Sequence, residues 1–189
     1  MTEPTLCGRR TSRGFNTTTT SGKPFWPLAP RAEDIRLSDI AEHLSRICRY
    51  GGALRSDVEF YSVAQHSWYC SYIVENGYEL EALLHDAAEA YVGDMVRPLK
   101  LDMPEYRAVE DVIDRAIRLK FGLPVAMSPA VKLADRIACA TEKRDLIAKP
   151  DGVEWGDMPE PHRIRIDGVS PFVARQLFLD RCRELGISE

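Results

Sequence analysis

Apolar residues recur at steps of three and four along most of the chain, which is the spacing of residues on one buried face of an α-helix. Helix starts are marked by Asp39-x-x-Glu42 and Ser62-x-x-Gln65, which resemble capping boxes, and elsewhere by proline in the first turn. The predicted helices cover residues 39–50, 62–74, 79–91, 104–122, 128–150 and 170–186. Because strands do not alternate with these helices, a parallel sheet is not expected and the predicted fold class is all-α.

The N-terminal part of the chain lacks this helical pattern. Residues 1–24 contain four threonines at 17–20 and scattered arginines, and they are predicted to form a weakly ordered N-terminal arm. The following segment, PFWPLAP, is apolar but broken by three prolines. Proline disfavours helix here, so this segment is predicted to pack in extended form with Phe25 and Trp26 as its anchors.

The length of the chain fits one domain. Its 189 residues are predicted to form a single domain over residues 25–189. Within it, residues 150–169 are predicted to be a loop with one short strand at 163–167. A hydrophobic content of 44% and a charged content of 29% are ordinary globular values, which exclude a wholly disordered chain.

The balance of charge limits the classes of partner. The chain has 25 Lys and Arg against 29 Asp and Glu, for a net charge of −4. An acidic chain is a poor candidate for binding nucleic acid, because that affinity comes largely from neutralised phosphates. No nucleic-acid partner is therefore expected, and any phosphate must be bound by a local basic site.

Cysteine usage and the apolar runs indicate the compartment. The five cysteines form no C-x-x-C pair, so free, buried cysteines in a reducing cytoplasm are expected. No apolar run approaches the ~18 residues that span a bilayer. The N-terminal sequence also lacks the apolar stretch of a secretory signal. A cytoplasmic location without a membrane partner is predicted.

The dipeptide His85-Asp86 is the first candidate for chemistry. It lies between Leu-Leu and Ala-Ala in a predicted helix, where a charge is costly unless it is paired or binds a metal. Further candidates are His66 on the preceding helix and Asp135 on the fifth, since packed helices bring such residues together. Taken singly, a residue such as His66 is more often a hydrogen-bonded, partly buried histidine, and one such as Asp135 is more often part of an ion pair on the helix surface.

Together these residues match a known pattern. The order His66 … His85-Asp86 … Asp135 resembles the H…HD…D signature of the HD-domain phosphohydrolase superfamily. The surrounding segments HDAAE, GD, PLK, ICRYGG and FYSVAQHS are similar to bacterial 5′-deoxynucleotidases and small phage-type dATP triphosphohydrolases. The resemblance covers about residues 23–148 and implies a helical bundle of about six helices.

The resemblance implies a divalent metal with an open coordination position. His66, His85, Asp86 and Asp135 would hold Co²⁺, Mn²⁺, Zn²⁺ or Fe²⁺, with Mg²⁺ a candidate for a second site. Of the nearby acids, Glu89 shares a helical face with His85 and would orient or deprotonate the attacking water. The carboxyl of Asp94, just after Gly93, would act as general acid or base toward the leaving group.

The same resemblance implies substrate contacts. Arg49 and Lys100 would contact phosphate or sugar, which supplies the local positive charge that an acidic chain needs. Tyr50 stands where the deoxynucleotidases typically carry a tryptophan that excludes a 2′-hydroxyl. An aromatic ring is thus retained in a smaller form, and a preference for deoxyribose over ribose is expected.

Several functions fit this pattern. A deoxynucleoside monophosphate is slightly favoured as substrate over a triphosphate. A guanosine tetraphosphate hydrolase is disfavoured because Ala90 replaces the second acid of HD-x-x-E-D, and a di-iron HD oxygenase would need more than four histidines. A non-catalytic nucleotide sensor would be expected to lack some of these residues. Proteins of this kind commonly self-associate, so a homo-oligomer is expected.

Overall fold

The computed structural model describes residues 10–149, 152 and 156–188, and helices dominate them. The helices are α1 (Leu37–Arg46), α2 (Val63–Ile73), α3 (Glu79–Leu84), α4 (Glu89–Val92), α5 (Arg97–Leu101), α6 (Pro104–Phe121), α7 (Pro129–Asp145) and α8 (Pro171–Glu184). Short 3₁₀ turns cover Ala32–Asp34 and Arg49–Gly52, and β1 (Thr17–Thr18) pairs antiparallel with β2 (Pro24–Phe25). The predicted all-α class is confirmed.

Helix α2 lies at the centre of the packing. It contacts α1, α3, α7 and α8, which surround it. One apolar cluster, which includes Ile40, Leu44 and Phe178, joins α1 to α6 and α8. A second cluster, with Val131 and Ala134, packs α7 against the other side of α2. Burial of each large apolar side chain contributes about 1.5–3 kcal/mol, so residues on α2 are held from both sides.

Three predicted helix boundaries are confirmed by their capping groups. The hydroxyl oxygens of Ser62 and Ser170 each accept a hydrogen bond from a backbone N–H of the first turn. At the end of α6, Gly122 adopts the left-handed conformation with φ 66°, which glycine reaches without a Cβ penalty. The predicted cap at Asp39 is wrong, because α1 already begins at Leu37. The Asp39 carboxylate instead accepts hydrogen bonds from Ser21 N and Oγ, at 2.7 and 2.9 Å.

The predicted continuous helix over 79–91 is also wrong. The chain forms turns at 85–88 that separate α3 from α4. In these turns the N–H groups of Ala87 and Glu89 donate to carbonyls three residues back, rather than four. In the same region the carbonyl of Ala82 pairs with the ring of His85. The His-Asp dipeptide therefore lies in a tight turn.

Other boundaries differ by a few residues. The first helix ends at Arg46 and is followed by the 3₁₀ turn over Arg49–Gly52. The segment 163–167 forms no strand, and the N–H of Ile166 donates instead to the Asp145 carboxylate at the end of α7. Helix α5 was not predicted, since none of its residues is buried and no apolar periodicity marks it.

Residues 10–24 contact the helical body. The Arg13 guanidinium pairs with Asp34 and lies 4.1 Å from the centre of the Trp26 ring. Phe25 is fully buried and stacks on Tyr91 at 3.9 Å, which confirms its role as an anchor. This part of the predicted arm is thus held by specific contacts. Cys7 and Arg9 lie outside the described residues, and the domain boundary at residue 24 stays a prediction.

Among the helices of the described ranges, none is both long enough and apolar enough to cross a membrane.

Candidate metal centre

Three parts of the fold bring the four predicted metal ligands together. His66 lies in the middle of α2, His85 and Asp86 lie in the turn after α3, and Asp135 lies on α7. The His66 Nε2 atom is 3.3 Å from His85 Nε2 and 3.2 Å from Asp135 Oδ1. The Asp86 Oδ2 atom is 3.6 Å from His66 Nε2 and 3.3 Å from His85 Nε2. Residues up to 69 positions apart (66 to 135) therefore meet at one point.

These separations fit ligands of one metal ion. Nitrogen and oxygen ligands lie about 2.0–2.2 Å from zinc, so two ligands at a tetrahedral angle are about 3.3–3.6 Å apart. Four of the five distances among these residues that involve a histidine Nε2 lie between 3.2 and 3.6 Å. The fifth, from His85 Nε2 to Asp135 Oδ1, is 3.8 Å. The geometry and the donor types thus suit a divalent transition metal.

Both histidines are oriented by hydrogen bonds on their other nitrogen. His66 Nδ1 lies 2.5 Å from Glu142 Oε1, and His85 Nδ1 lies 2.8 Å from the Ala82 carbonyl oxygen. Because a carbonyl or carboxylate oxygen accepts, each Nδ1 is assigned as the donor, and Nε2 is the ring nitrogen that faces the other ligand atoms. Such partners fix the tautomer and ring angle of metal-binding histidines.

Glu142 lies behind His66, a position that the sequence patterns left open. It is fully buried, and its carboxylate accepts hydrogen bonds from Tyr50 and Tyr61 as well as from His66. The only sequence signal is its position two helical turns after Asp135, on the same face of α7. That spacing fits a solvated helix position equally well, because its partners come from distant parts of the chain.

Mutual charge attraction shapes the protonation of the ligands. Burial alone would lower the pKa of His85, but the adjacent Asp86 and Asp135 carboxylates raise it well above its usual value. Burial likewise opposes ionisation of Asp135, yet contacts with His66 and His85 hold the pKa of this carboxyl far below its usual range. The ligand carboxylates are therefore ionised, and positive charge is favoured at the point where they meet.

The acids beside the ligands lie in a different environment. Burial, followed by repulsion from Asp86 and Asp94, raises the pKa of Glu89 well above its usual range. Glu89 Oε2 is buried and has no hydrogen-bond partner among the described residues, and its Oε1 lies 3.8 Å from Lys100 Nζ. Burial also raises the pKa of the half-buried Asp94. Predicted catalytic groups thus lie next to the ligands with their proton affinity increased.

Comparison with known proteins identifies relatives over most of the chain. The chain is 43% identical over 170 residues to the uncharacterized protein YfdR of Escherichia coli (strain K12), covering 88% of this chain and 93% of YfdR. The chain belongs to the YfdR family. A second relative, the uncharacterized protein RCAP_rcc00048 of Rhodobacter capsulatus, is 33% identical over 138 residues, 67% of this chain and 70% of that protein. No family model matches the sequence.

In this YfdR-family chain the predicted substrate residues lie around the ligands. Arg49 is buried, and its Nη1 is 3.3 Å from Asp86 Oδ2 while its Nε is 3.3 Å from Glu142 Oε2. The Tyr50 hydroxyl donates a hydrogen bond to the Glu142 carboxylate. Lys100 Nζ is 2.6 Å from Glu110 Oε1. All three side chains reach acids of the site or acids next to it.

Tyr50 also has an unusual backbone. Its φ of 58° and ψ of 22° lie in the left-handed region, which costs a residue with a side chain about 1–3 kcal/mol. The next residue, Gly51, continues in the same region with φ 61°. In this chain, the turn presents Arg49 and Tyr50 side by side to Glu142. Their buried hydrogen bonds to Glu142 offset the strain.

The structure adds a sulfur atom to the ligand group. One ligand atom from each of His66, Cys70, His85 and Asp135 lies within 4.8 Å of every other. This set contains Cys70 in place of Asp86, although Asp86 Oδ2 is closer to both histidine nitrogens than that limit. Cys70 is therefore a candidate ligand beside His66, His85 and Asp135, while Asp86 contacts the two histidines from the partly exposed side.

The remaining histidines lie apart from this group. His43 Nδ1 pairs with the carbonyl of Ala90, and its Nε2 accepts from the Thr20 N–H. His162 contacts the Tyr69 hydroxyl through Nδ1 at 2.9 Å. Both rings thus have partners away from the proposed ligands, which makes His162 a suitable control in this protein.

Proposed function

We propose that this protein is a metal-dependent phosphohydrolase of the HD-domain type that acts on 2′-deoxynucleotides. The observation that carries the proposal is the convergence of His66, His85, Asp86 and Asp135, which the H…HD…D resemblance names as ligands. A tight turn and two helices hold these side chains in place before any ion arrives. Two imidazoles and two carboxylates are a donor set that suits a divalent transition metal.

The residues of the chain hold the ion and leave the substrate side open. Asp86 and Asp135 remain partly exposed, at 21% and 31% of their side chains, whereas both histidines are buried. Access is therefore from the carboxylate side. A bound divalent ion would lower the pKa of a water molecule and polarise a phosphoryl oxygen.

Glu89 and Asp94 handle protons in this proposal. Because its pKa is raised by burial and by Asp86 and Asp94, Glu89 binds a proton more readily than an exposed carboxylate does. That property suits a base that takes a proton from the attacking water. Asp94, whose pKa is also raised, is suited to donate a proton to the leaving oxygen.

Two features of the site bear on the substrate. The Tyr50 ring is fixed by its hydrogen bond to Glu142 and lies beside Arg49, at 5.4 Å from the guanidinium carbon. A fixed ring can exclude a 2′-hydroxyl where a mobile one cannot. Arg49 and Lys100 each already pair with carboxylates, which leaves less positive charge for a long phosphate chain. A deoxynucleoside monophosphate is therefore favoured over a triphosphate.

The test is phosphate release from a panel of ribo- and deoxyribonucleoside mono- and triphosphates. We expect release with added Co²⁺ or Mn²⁺, loss of activity in EDTA, and a preference for dAMP over AMP. His85→Ala and Asp86→Ala should each lower kcat/KM more than about 100-fold, since even outer partners of a metal ligand matter 10–100-fold.

His162→Ala is the matched control and should keep full activity, because its ring contacts Tyr69 outside the site. Activity that survives both His85→Ala and Asp86→Ala would refute the metal assignment. Metal-dependent nucleotide binding without turnover of any substrate would indicate a sensor instead. Equal kcat/KM for dAMP and AMP, and for dATP and ATP, would contradict the role given to Tyr50.

A further inference from the structure

The side chain of Cys70 points at the proposed metal ligands. Cys70 follows His66 by four residues on α2, so the two side chains share one helical face. Its Sγ lies 3.5 Å from His66 Nε2, the nitrogen that also faces His85 and Asp135. The thiol is fully buried, so it lies beneath the group rather than at its open side.

Two further cysteines, Cys182 and Cys139, have surroundings that differ from those of Cys70. Cys182 is equally buried, but it lies in the apolar cluster between α1, α6 and α8. Cys139 Sγ is 3.5 Å from Asp135 Oδ1 and 3.6 Å from Arg49 Nη2, on the side of the guanidinium. Cys139 does not belong to the set whose ligand atoms all lie within 4.8 Å. Cys70 therefore combines burial with a position among the ligand atoms.

The distance from Cys70 to His66 suits two ligands of one ion. With zinc–nitrogen at about 2.0–2.1 Å and zinc–sulfur at about 2.3 Å, a tetrahedral angle separates the two atoms by about 3.6 Å. The observed 3.5 Å is close to this value.

We propose that Cys70 is a further metal ligand and that its sulfur makes the site select a thiophilic ion, Zn²⁺, Co²⁺ or Fe²⁺, over Mn²⁺ and Mg²⁺. The inference rests on the proposed metal centre. Soft thiolate ligands favour zinc and iron, whereas manganese and magnesium prefer oxygen. The thiol becomes a thiolate when it binds, so one proton is released to solvent for each Cys70–metal bond formed.

The test is the absorption spectrum of the Co²⁺-loaded full-length protein, compared among the wild type, Cys70→Ser, Cys139→Ser and Cys182→Ser. We expect a near-ultraviolet thiolate-to-cobalt charge-transfer band in the wild type and in the Cys139 and Cys182 variants. The band should be lost in Cys70→Ser. The same variant should lose at least about 10-fold in Zn²⁺ affinity, while its Mn²⁺ affinity stays unchanged.

Stoichiometric Co²⁺ binding without the band, or a band that persists in Cys70→Ser, would overturn the assignment of Cys70 and leave the metal centre standing. A wild-type protein that binds no Co²⁺ would overturn both proposals. If Cys70→Ser does not fold, Cys70→Ala replaces it, and the wild-type spectrum still decides whether any thiolate binds the ion.

Discussion

The proposed metal centre and the ion pair between Glu81 and Arg118 both bury charge, but they differ in how that charge is neutralised. Glu81 and Arg118 are each 3% exposed, and their charged atoms lie 3.2 Å apart. The Arg118 guanidinium also donates to Asp114 and to the Pro124 carbonyl, while Glu81 accepts from the Ser128 N–H. Donors meet acceptors here, and the pair joins α3 to α6 and to the start of α7.

At the proposed metal centre, two imidazoles face two carboxylates. The Nε2 atoms of His66 and His85 lie 3.2 and 3.3 Å from carboxylate oxygens of Asp135 and Asp86, and these carboxylates raise the pKa of His85. A metal ion at this point would take the place of the imidazole protons. Arg49 Nη1 lies 3.3 Å from Asp86 Oδ2, and Lys100 Nζ lies 3.8 Å from Oε1 of the neighbouring acid Glu89. The Glu81–Arg118 pair is neutralised by side chains of the protein, whereas the proposed metal centre would also take up an added cation. On this proposal, the first group stabilises the fold and the second binds an ion.

The largest expected effect concerns the structural pair. Arg118→Met leaves the buried Glu81 carboxylate without its cation and should lower the free energy of unfolding by about 3–5 kcal/mol. Denaturant unfolding of the metal-free protein measures this. Metal affinity of the folded variant should stay within about 3-fold of the wild type. A loss of metal affinity beyond 10-fold would show that the ion pair and the proposed metal centre are coupled, and would contradict their independence.

A smaller effect is expected from the partner of a ligand. Glu142→Gln weakens the hold on His66 Nδ1 and should reduce metal affinity by about 10–100-fold. Glu81→Gln is the matched control, since it removes one buried carboxylate elsewhere and should leave affinity unchanged. Isothermal titration with Zn²⁺ compares the two variants. Equal affinities for both would contradict the role assigned to Glu142.

The smallest effect is a pH dependence of stability that arises at the structural pair. Burial opposes ionisation of Glu81, but bonds from Ser128 and Arg118 bring its pKa below the usual value. A lowered folded-state pKa gives stability that is present above the unfolded value, about 4.3, and is lost as pH falls below it. The difference in unfolding free energy between wild type and Glu81→Gln should therefore shrink on acidification. A difference that is constant from pH 7 to pH 3 would contradict this.

The elements that could be predicted from the sequence are those determined by local chemistry. Ser62 and Ser170 cap their helices because a hydroxyl reaches the first-turn N–H groups without help from distant residues. The same holds for Gly122, whose left-handed conformation needs no tertiary partner. The order of the four predicted ligands along the chain, as in the H…HD…D motif, predicted that they would lie together. Their spacing alone would not have predicted this, because it fits several ordinary roles as well as a metal site.

The features that could not be predicted depend on contacts between distant residues. The break of the 79–91 segment coincides with the contact between the His85 ring and the Ala82 carbonyl, and apolar periodicity carries no trace of it. The role of Glu142 depends on partners such as Tyr50, 92 positions away. Cys70 resembles an ordinary buried cysteine in the sequence, and only its distance from His66 distinguishes it.

The central claim is that His66, His85, Asp86 and Asp135 hold one divalent ion. The most direct test is metal stoichiometry of the purified protein after loading with Co²⁺ or Zn²⁺ and removal of free ion, measured by elemental analysis. The account predicts at least one tightly bound ion per chain in the wild type and in His162→Ala, and its loss in His85→Ala. An equal metal content in His85→Ala and the wild type, or no bound metal in the wild type, would contradict the account.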